Sequence, residues 1–283
     1  MAYVYHYCKY DTFEKIIVNK TLRLNNIRNS NDKLEMKHQI EQYKHVRGLS
    51  EYFNYADNRY WERMYDFIAD ITEVTECYAS CFSSSNDKLS QWERYAEGGK
   101  GVSICFDRYE LETYLNAISE SIKLPIEDDK YAVAALYYMK IKYEKITKWF
   151  YPSNLAEYYN DIKEYLKRCA FTKHQGFSEE KEFRISLIFN RNYADKLFYN
   201  INDYISNNKY KTDGYIDIKI PMNLIKEVCL GPIKEKKLDD VVEFLNSNDV
   251  SIKVTESTIP YSPQYEMIPK KVIITPLNKE LIV

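Results

Sequence analysis

Short runs of alternating apolar and polar residues, broken by turns and by stretches of helical spacing, recur along the chain. Residues 2–8, rich in Tyr and Val, read as a first strand, and Thr21–Asn25 as a second. Between them Phe13, Ile16 and Ile17 are spaced for one buried helix face, with Asp11-Thr12 as its cap. From Asn31 to about residue 70 a long polar-helical stretch carries Tyr60, Trp61, Met64 and Phe67. Cys77–Phe82 predicts a strand, Ser83–Asp87 a loop and helix cap, Leu89–Ala96 a short helix, and Gly98–Gly101 a turn into a strand at Val102–Phe106. Residues 108–170 read as a mostly helical insertion of weak periodicity, with a strand-like stretch near Ala132–Tyr143. Further strands are predicted at Ile185–Phe189, Gly214–Ile220, Glu227–Pro232 and Ser251–Thr255, with a turn at Pro221–Ile225 and an amphipathic helix at Lys236–Leu245. A last extended segment is expected at Val272–Thr275. Strands and helices mix without regular alternation, which points to an α+β fold with a mixed, largely antiparallel sheet.

Composition narrows the function classes. A length of 283 residues, 45% hydrophobic and 29% charged, suits a soluble globular protein of one large domain or two small ones. A net charge of −2 argues against a broad electrostatic grip on nucleic acid, though not against a local basic patch. The chain carries 28 Tyr and only 7 Gly. Because the tyrosines are scattered throughout, an AT-rich coding genome explains them better than a dedicated stacking surface. The six cysteines form no CxxC pair or metal set and mostly sit in apolar runs, as expected of buried free thiols in a reducing cytoplasm. The amino terminus lacks the pattern of a signal peptide, and no run approaches the roughly eighteen apolar residues of a membrane span. A cytoplasmic protein with no membrane partner is therefore expected, and no metal is implied.

The candidate chemistry sits after the midpoint, in Phe177-Ser-Glu-Glu180-Lys-Glu182-Phe-Arg184. If these residues enter the strand that follows, Glu180, Glu182 and Arg184 share one face at its mouth. They then form either a solvated ion pair or a site for a substrate that develops charge. Gly98-Gly-Lys-Gly101 has neither phosphate-loop nor dinucleotide spacing and reads as a turn.

Taken in order, Tyr5-His6-Tyr7, Asn31-Asp32-Lys-Leu-Glu35, Cys81-Phe-Ser83, Gln91-Trp92-Glu-Arg-Tyr95, Gly101-Val and Glu180-Lys-Glu182-Phe-Arg184 resemble the bacterial DUF2971 family, a domain of unknown function. Ile225-Lys-Glu-Val-Cys-Leu-Gly231-Pro232 is similar to its closing signature, so the likeness spans about residues 3–232. Where that family often shows an aromatic pair before the glutamate motif, this chain has Phe177 and Glu179.

The arrangement further resembles the ADP-ribosyltransferase fold, with its His-Tyr-Glu triad. That likeness implies a single domain over residues 1–283, with helical insertions at about 31–70 and 108–170 and an extension from about 233. It implies NAD as the substrate and transfer of ADP-ribose to a protein or nucleic acid, in a toxin or phage-defence setting with a partner protein. His6 would bond a ribose hydroxyl, and Tyr95 with Trp92 would stack on nicotinamide. Ser83 and Arg184 would complete the cofactor site. Glu182 would stabilise the positive charge left on the ribose, and Glu180 would act as general base; either glutamate could be the essential one. The alternative is a module that binds a nucleotide or nucleic acid without catalysis, or an accessory protein of a defence operon. In that case His6 is an ordinary strand histidine, Trp92 and Tyr95 are core, and Asp32 with Glu35 is a helix capping box.

Overall fold

The computed structural model describes residues 2–30, 36, 66–67, 69–122, 133–144, 162–260 and 272–274. The predicted helical stretch from Asn31 to about residue 70, with Asp32 and Glu35, lies almost wholly outside them.

Strand β1 (Tyr3–Cys8) leads into α1 (Tyr10–Asn19), which buries Tyr10, Phe13, Ile16 and Ile17 and stops at Lys20 in the left-handed region (φ 53°). The helix starts one residue ahead of the predicted Asp11-Thr12 cap: Lys9 takes the cap position without a side-chain bond. Strand β2 (Thr21–Asn26) follows, then β3 (Thr75–Ser83), the short helix α2 (Leu89–Tyr95), β4 (Val102–Asp107) and α3 (Arg108–Ser121). Asp107 caps α3 by accepting from the backbone N–H groups of Tyr109 and Glu110. Next come β5 (Ala134–Lys140), β6 (Lys142–Glu144), α4 (Ile162–Ala170), β7 (Thr172–His174) and β8 (Glu182–Asn190). The chain continues through α5 (Ala194–Asn200), β9 (Ile205–Lys209), β10 (Tyr215–Lys219), β11 (Ile225–Leu230), α6 (Leu238–Ser247), β12 (Lys253–Glu256) and β13 (Val272–Ile274).

The fold is α+β. One large sheet runs β13-β12-β11-β4-β1-β3-β2-β10-β9, with β8 and then β5 branching from β3. Within it β11 and β12 pair in parallel and the other pairs are antiparallel. Helices α1, α3 and α6 pack one face through Phe13, Ile17, Leu111, Leu115, Val241 and Leu245. On the other face α4 sets Tyr165, Leu166 and Cys169 against Cys77, Ala79 and Ile188. All nine residues of β8 are buried, because β3 and β5 flank it and both faces are covered.

Within 108–170, read from sequence as a helical insertion, β5 pairs with β8 from Ala134↔Phe189 to Lys140↔Phe183 and so extends the main sheet. The strand-like stretch predicted near Ala132–Tyr143 is this β5; Leu136 is its one buried residue, so the pattern marked a strand but not its place in the main sheet. At the closing signature, Gly231 donates its N–H to the Gly101 carbonyl (2.9 Å), and a Cβ there would lie 2.1 Å from the Gly99 oxygen. A glycine is required where these two backbones meet.

Candidate functional site

The site arises from a fork in the sheet. Along one edge β3 pairs with β8 over its whole length, from Thr75↔Asn190 to Ser83↔Glu182. Its other edge is shared: β1 reaches it at Tyr5↔Ser83, and β2 at Asn25↔Ala79 and Asn26↔Tyr78. Between these contacts β1 and β2 separate, and a cleft of about 490 Å³ opens over residues 79–83 of β3. That volume is in the range of small-molecule sites, roughly 300–1,000 Å³.

Glu182 forms the wall of this cleft at the start of β8. It is 4% exposed, and its Oε1 accepts from Arg184 Nε (2.6 Å) while its Oε2 pairs with Lys173 Nζ (2.7 Å). Arg184, two residues on and therefore on the same strand face, is fixed in turn by donating Nη1 to the Ala170 carbonyl at the end of α4 (2.7 Å). That placement also opposes a cation to the negative end of the helix. The Glu182 N–H donates to the Tyr143 hydroxyl (2.8 Å), which arrives on β6 beside Lys173 on β7. Burial alone would raise the Glu182 pKa; Arg184 and Lys173, with bonds from Arg184 and Cys81, outweigh it and hold the carboxyl at about 2.

Glu180 does not lie on the strand, as its spacing suggested. It closes a 3-10 turn (Gln175–Glu180), and Lys181 then turns the chain in the left-handed region (φ 45°) before β8 begins. Ser83 stabilises this bend by donating its hydroxyl to the Glu180 carbonyl (2.9 Å). The Glu180 carboxylate still reaches the same place: Lys173 Nζ donates to its Oε2 (2.9 Å) and the Tyr95 hydroxyl to its Oε1 (2.5 Å). Arg94, 47% exposed, lies 3.8 Å from that Oε1. Burial, then the bond to Glu180, raises the Tyr95 pKa, so its hydroxyl stays protonated and donates.

On the opposite wall His6 donates Nδ1–H to the Cys81 carbonyl (2.9 Å), which leaves Nε2 as an acceptor. Burial lowers the His6 pKa despite that bond, so the ring is neutral. Cys81 is the one exposed cysteine; the other five are buried free thiols, as their apolar context suggested.

Of the residues singled out from sequence, His6, Ser83, Tyr95, Glu180, Glu182 and Arg184 all line this cleft. Trp92 is not among the lining residues. It is fully buried, meets the Tyr7 ring edge-on at 4.9 Å and donates Nε1 to Asp87 (2.9 Å). Its position three residues before Tyr95 suggested a shared face, but α2 is one short helix whose buried side faces the core. Lys173, Asn25 and Asn26 line the cleft without having been singled out. A lone lysine after a helix has no periodic signal, and only the pairing of β7 with β6 brings it between the two glutamates. Among the described residues no group of three or more His, Cys, Asp or Glu side chains is placed to hold a metal ion. No described helix is long and apolar enough to cross a membrane.

The model of a family described as a protein of unknown function, DUF2971, matches residues 91–185. That span takes in Gln91–Tyr95 of α2 and the Glu180–Arg184 segment, and leaves out His6 on β1 and Ser83 on β3. No curated protein and no solved structure matches the chain.

Proposed function

We propose that this cleft binds NAD and that the protein transfers ADP-ribose from it to a macromolecular acceptor. The observation that carries the reading is Glu182: an ionised carboxylate fixed in the wall of a cleft that also presents the Tyr95 ring and a neutral histidine. Breaking the nicotinamide–ribose C–N bond sends its electron pair to nicotinamide and leaves positive charge on the sugar. A preorganised carboxylate lowers that barrier. The acceptor's nucleophile then bonds to the ribose carbon, and Glu180 takes its proton. His6 Nε2 suits a ribose hydroxyl as donor, and the Tyr95 ring suits a flat pyridinium. A toxin or defence role with a partner protein belongs to the same proposal and rests on fold-level analogy with ADP-ribosyltransferases alone.

A second reading is a binding module that catalyses nothing. It is favoured by the occupation of both Glu182 oxygens, one by Arg184 and one by Lys173. Calorimetric titration with NAD separates the outcomes. The transferase reading expects saturable binding that Tyr95→Ala weakens about tenfold, the loss of one stacking and hydrogen-bonding group. Binding without nicotinamide release in the presence of cell lysate selects the module; no binding removes NAD from both readings.

A further inference from the structure

We infer that Lys173 is the positioning residue of this cleft: its ammonium holds Glu180 and Glu182 side by side in their charged forms. The geometry is specific. One Nζ donates to Glu180 Oε2 at 2.9 Å and pairs with Glu182 Oε2 at 2.7 Å, while Lys173 itself is 5% exposed. The two glutamates are each 4% exposed and Arg184 1%, so two anions and two cations are enclosed together and balance. Arg184 bonds Glu182 through Nε and turns Nη1 to the Ala170 carbonyl. Lys173 is thus the cation that joins the two carboxylates.

The other groups facing the pair do not replace it. The Tyr95 hydroxyl donates to Glu180 from α2, and Arg94 beside it is half exposed and 3.8 Å away. The Tyr143 hydroxyl on β6 accepts the Glu182 N–H, and the Cys81 thiol on β3 bonds the Glu182 carboxylate. The Phe177 ring lies 5.6 Å from Nζ and adds a cation–π contact. Without the ammonium, the two buried carboxylates would face each other with Arg184 bonding Glu182 alone, and the pair would gain a tendency to take up one proton. For a reaction that needs one carboxylate as an anion and the other as a base, the ammonium sets the protonation state of both.

The function of this device in turnover rests on the transferase reading; its effect on ionisation does not. The test is carboxyl titration by NMR on the full chain labelled with carbon-13 at glutamate Cδ, with Glu180→Gln and Glu182→Gln identifying the two signals. In the wild type the Glu182 signal is expected to titrate well below its ordinary range. In Lys173→Met one of the two is expected to titrate about two units higher or more, and Lys173→Arg to restore the wild-type midpoints. Unchanged midpoints in Lys173→Met overturn the inference. Should that variant fail to fold, Lys173→Met combined with Glu180→Gln removes one cation and one anion; recovery of folding supports the inference and equal failure overturns it. If the enzyme releases nicotinamide, the acid limb of its rate profile should move up with the shifted carboxyl. If it releases none, the transferase reading fails while the NMR midpoints still decide the role of Lys173.

Discussion

Glu182→Gln removes a charge and little volume, which makes its effect calculable. The Glu182 carboxyl is held at about 2 against an ordinary 4.5, in a side chain 4% exposed, so solvent screening discounts little of the shift. At about 1.4 kcal/mol per unit, the ionised form contributes about 3 kcal/mol to folding at neutral pH. A depressed pKa gives stability that is fully present above the unfolded value and lost as pH falls toward the folded one. Glutamine resembles the protonated carboxyl. The variant should therefore unfold in urea with about 3 kcal/mol less stability at pH 7, and the gap should narrow to about half by pH 3. Paired urea melts at pH 7, 5, 4 and 3 measure this. A gap that stays constant with pH, or no gap at pH 7, would refute the ionic account of the wall.

Three further outcomes follow from contacts around the site. Asp87 accepts from Trp92 Nε1, the Ser257 hydroxyl, and the N–H and hydroxyl of Thr258. Asp87→Ala should cost about 2 kcal/mol and raise hydrogen exchange at residues 257–259, read by mass spectrometry. Trp92→Ala should cost about 3–5 kcal/mol in thermal or urea melts, while Trp92→Phe leaves NAD affinity within about twofold; a large affinity loss in a folded Trp92→Phe would return that ring to the cofactor site. Gly231→Ala forces a Cβ to 2.1 Å from the Gly99 carbonyl and should lose about 3 kcal/mol or fail to fold, measured by circular dichroism.

How much of this was legible in the sequence depends on what each element packs against. The predicted strand at Gly214–Ile220 is β10 (Tyr215–Lys219), and the predicted helix at Lys236–Leu245 is α6, shifted two residues on to Leu238–Ser247; both declared themselves through period alone. The strand-like stretch near Ala132–Tyr143 marked β5, although its place in the main sheet was not legible; β9, whose Ser, Asn and Lys residues lie exposed at the sheet edge, gave no such signal. His6, Ser83 and Tyr95 were singled out by the resemblance alone, whereas the Glu182–Arg184 pair could be read from strand alternation, because polar groups among apolar runs need a reason. The route of Glu180 could not, since it depends on a turn held by Ser83 from another strand. Lys173 was invisible for a similar reason: it comes from β7, and its partners lie in the turn and on β8. The fork between β1 and β2 is a property of pairing, which no local pattern records.

The most direct test of the central claim is nicotinamide release from NAD, followed by chromatography with cell lysate as acceptor source, for the wild type, Glu182→Gln and Glu180→Gln at equal folded concentration. The account predicts release by the wild type and a loss of at least about a hundredfold in Glu182→Gln, the scale of one electrostatic stabiliser removed from a transition state. Release that survives Glu182→Gln undiminished, or no release by a wild type that binds NAD, would contradict it.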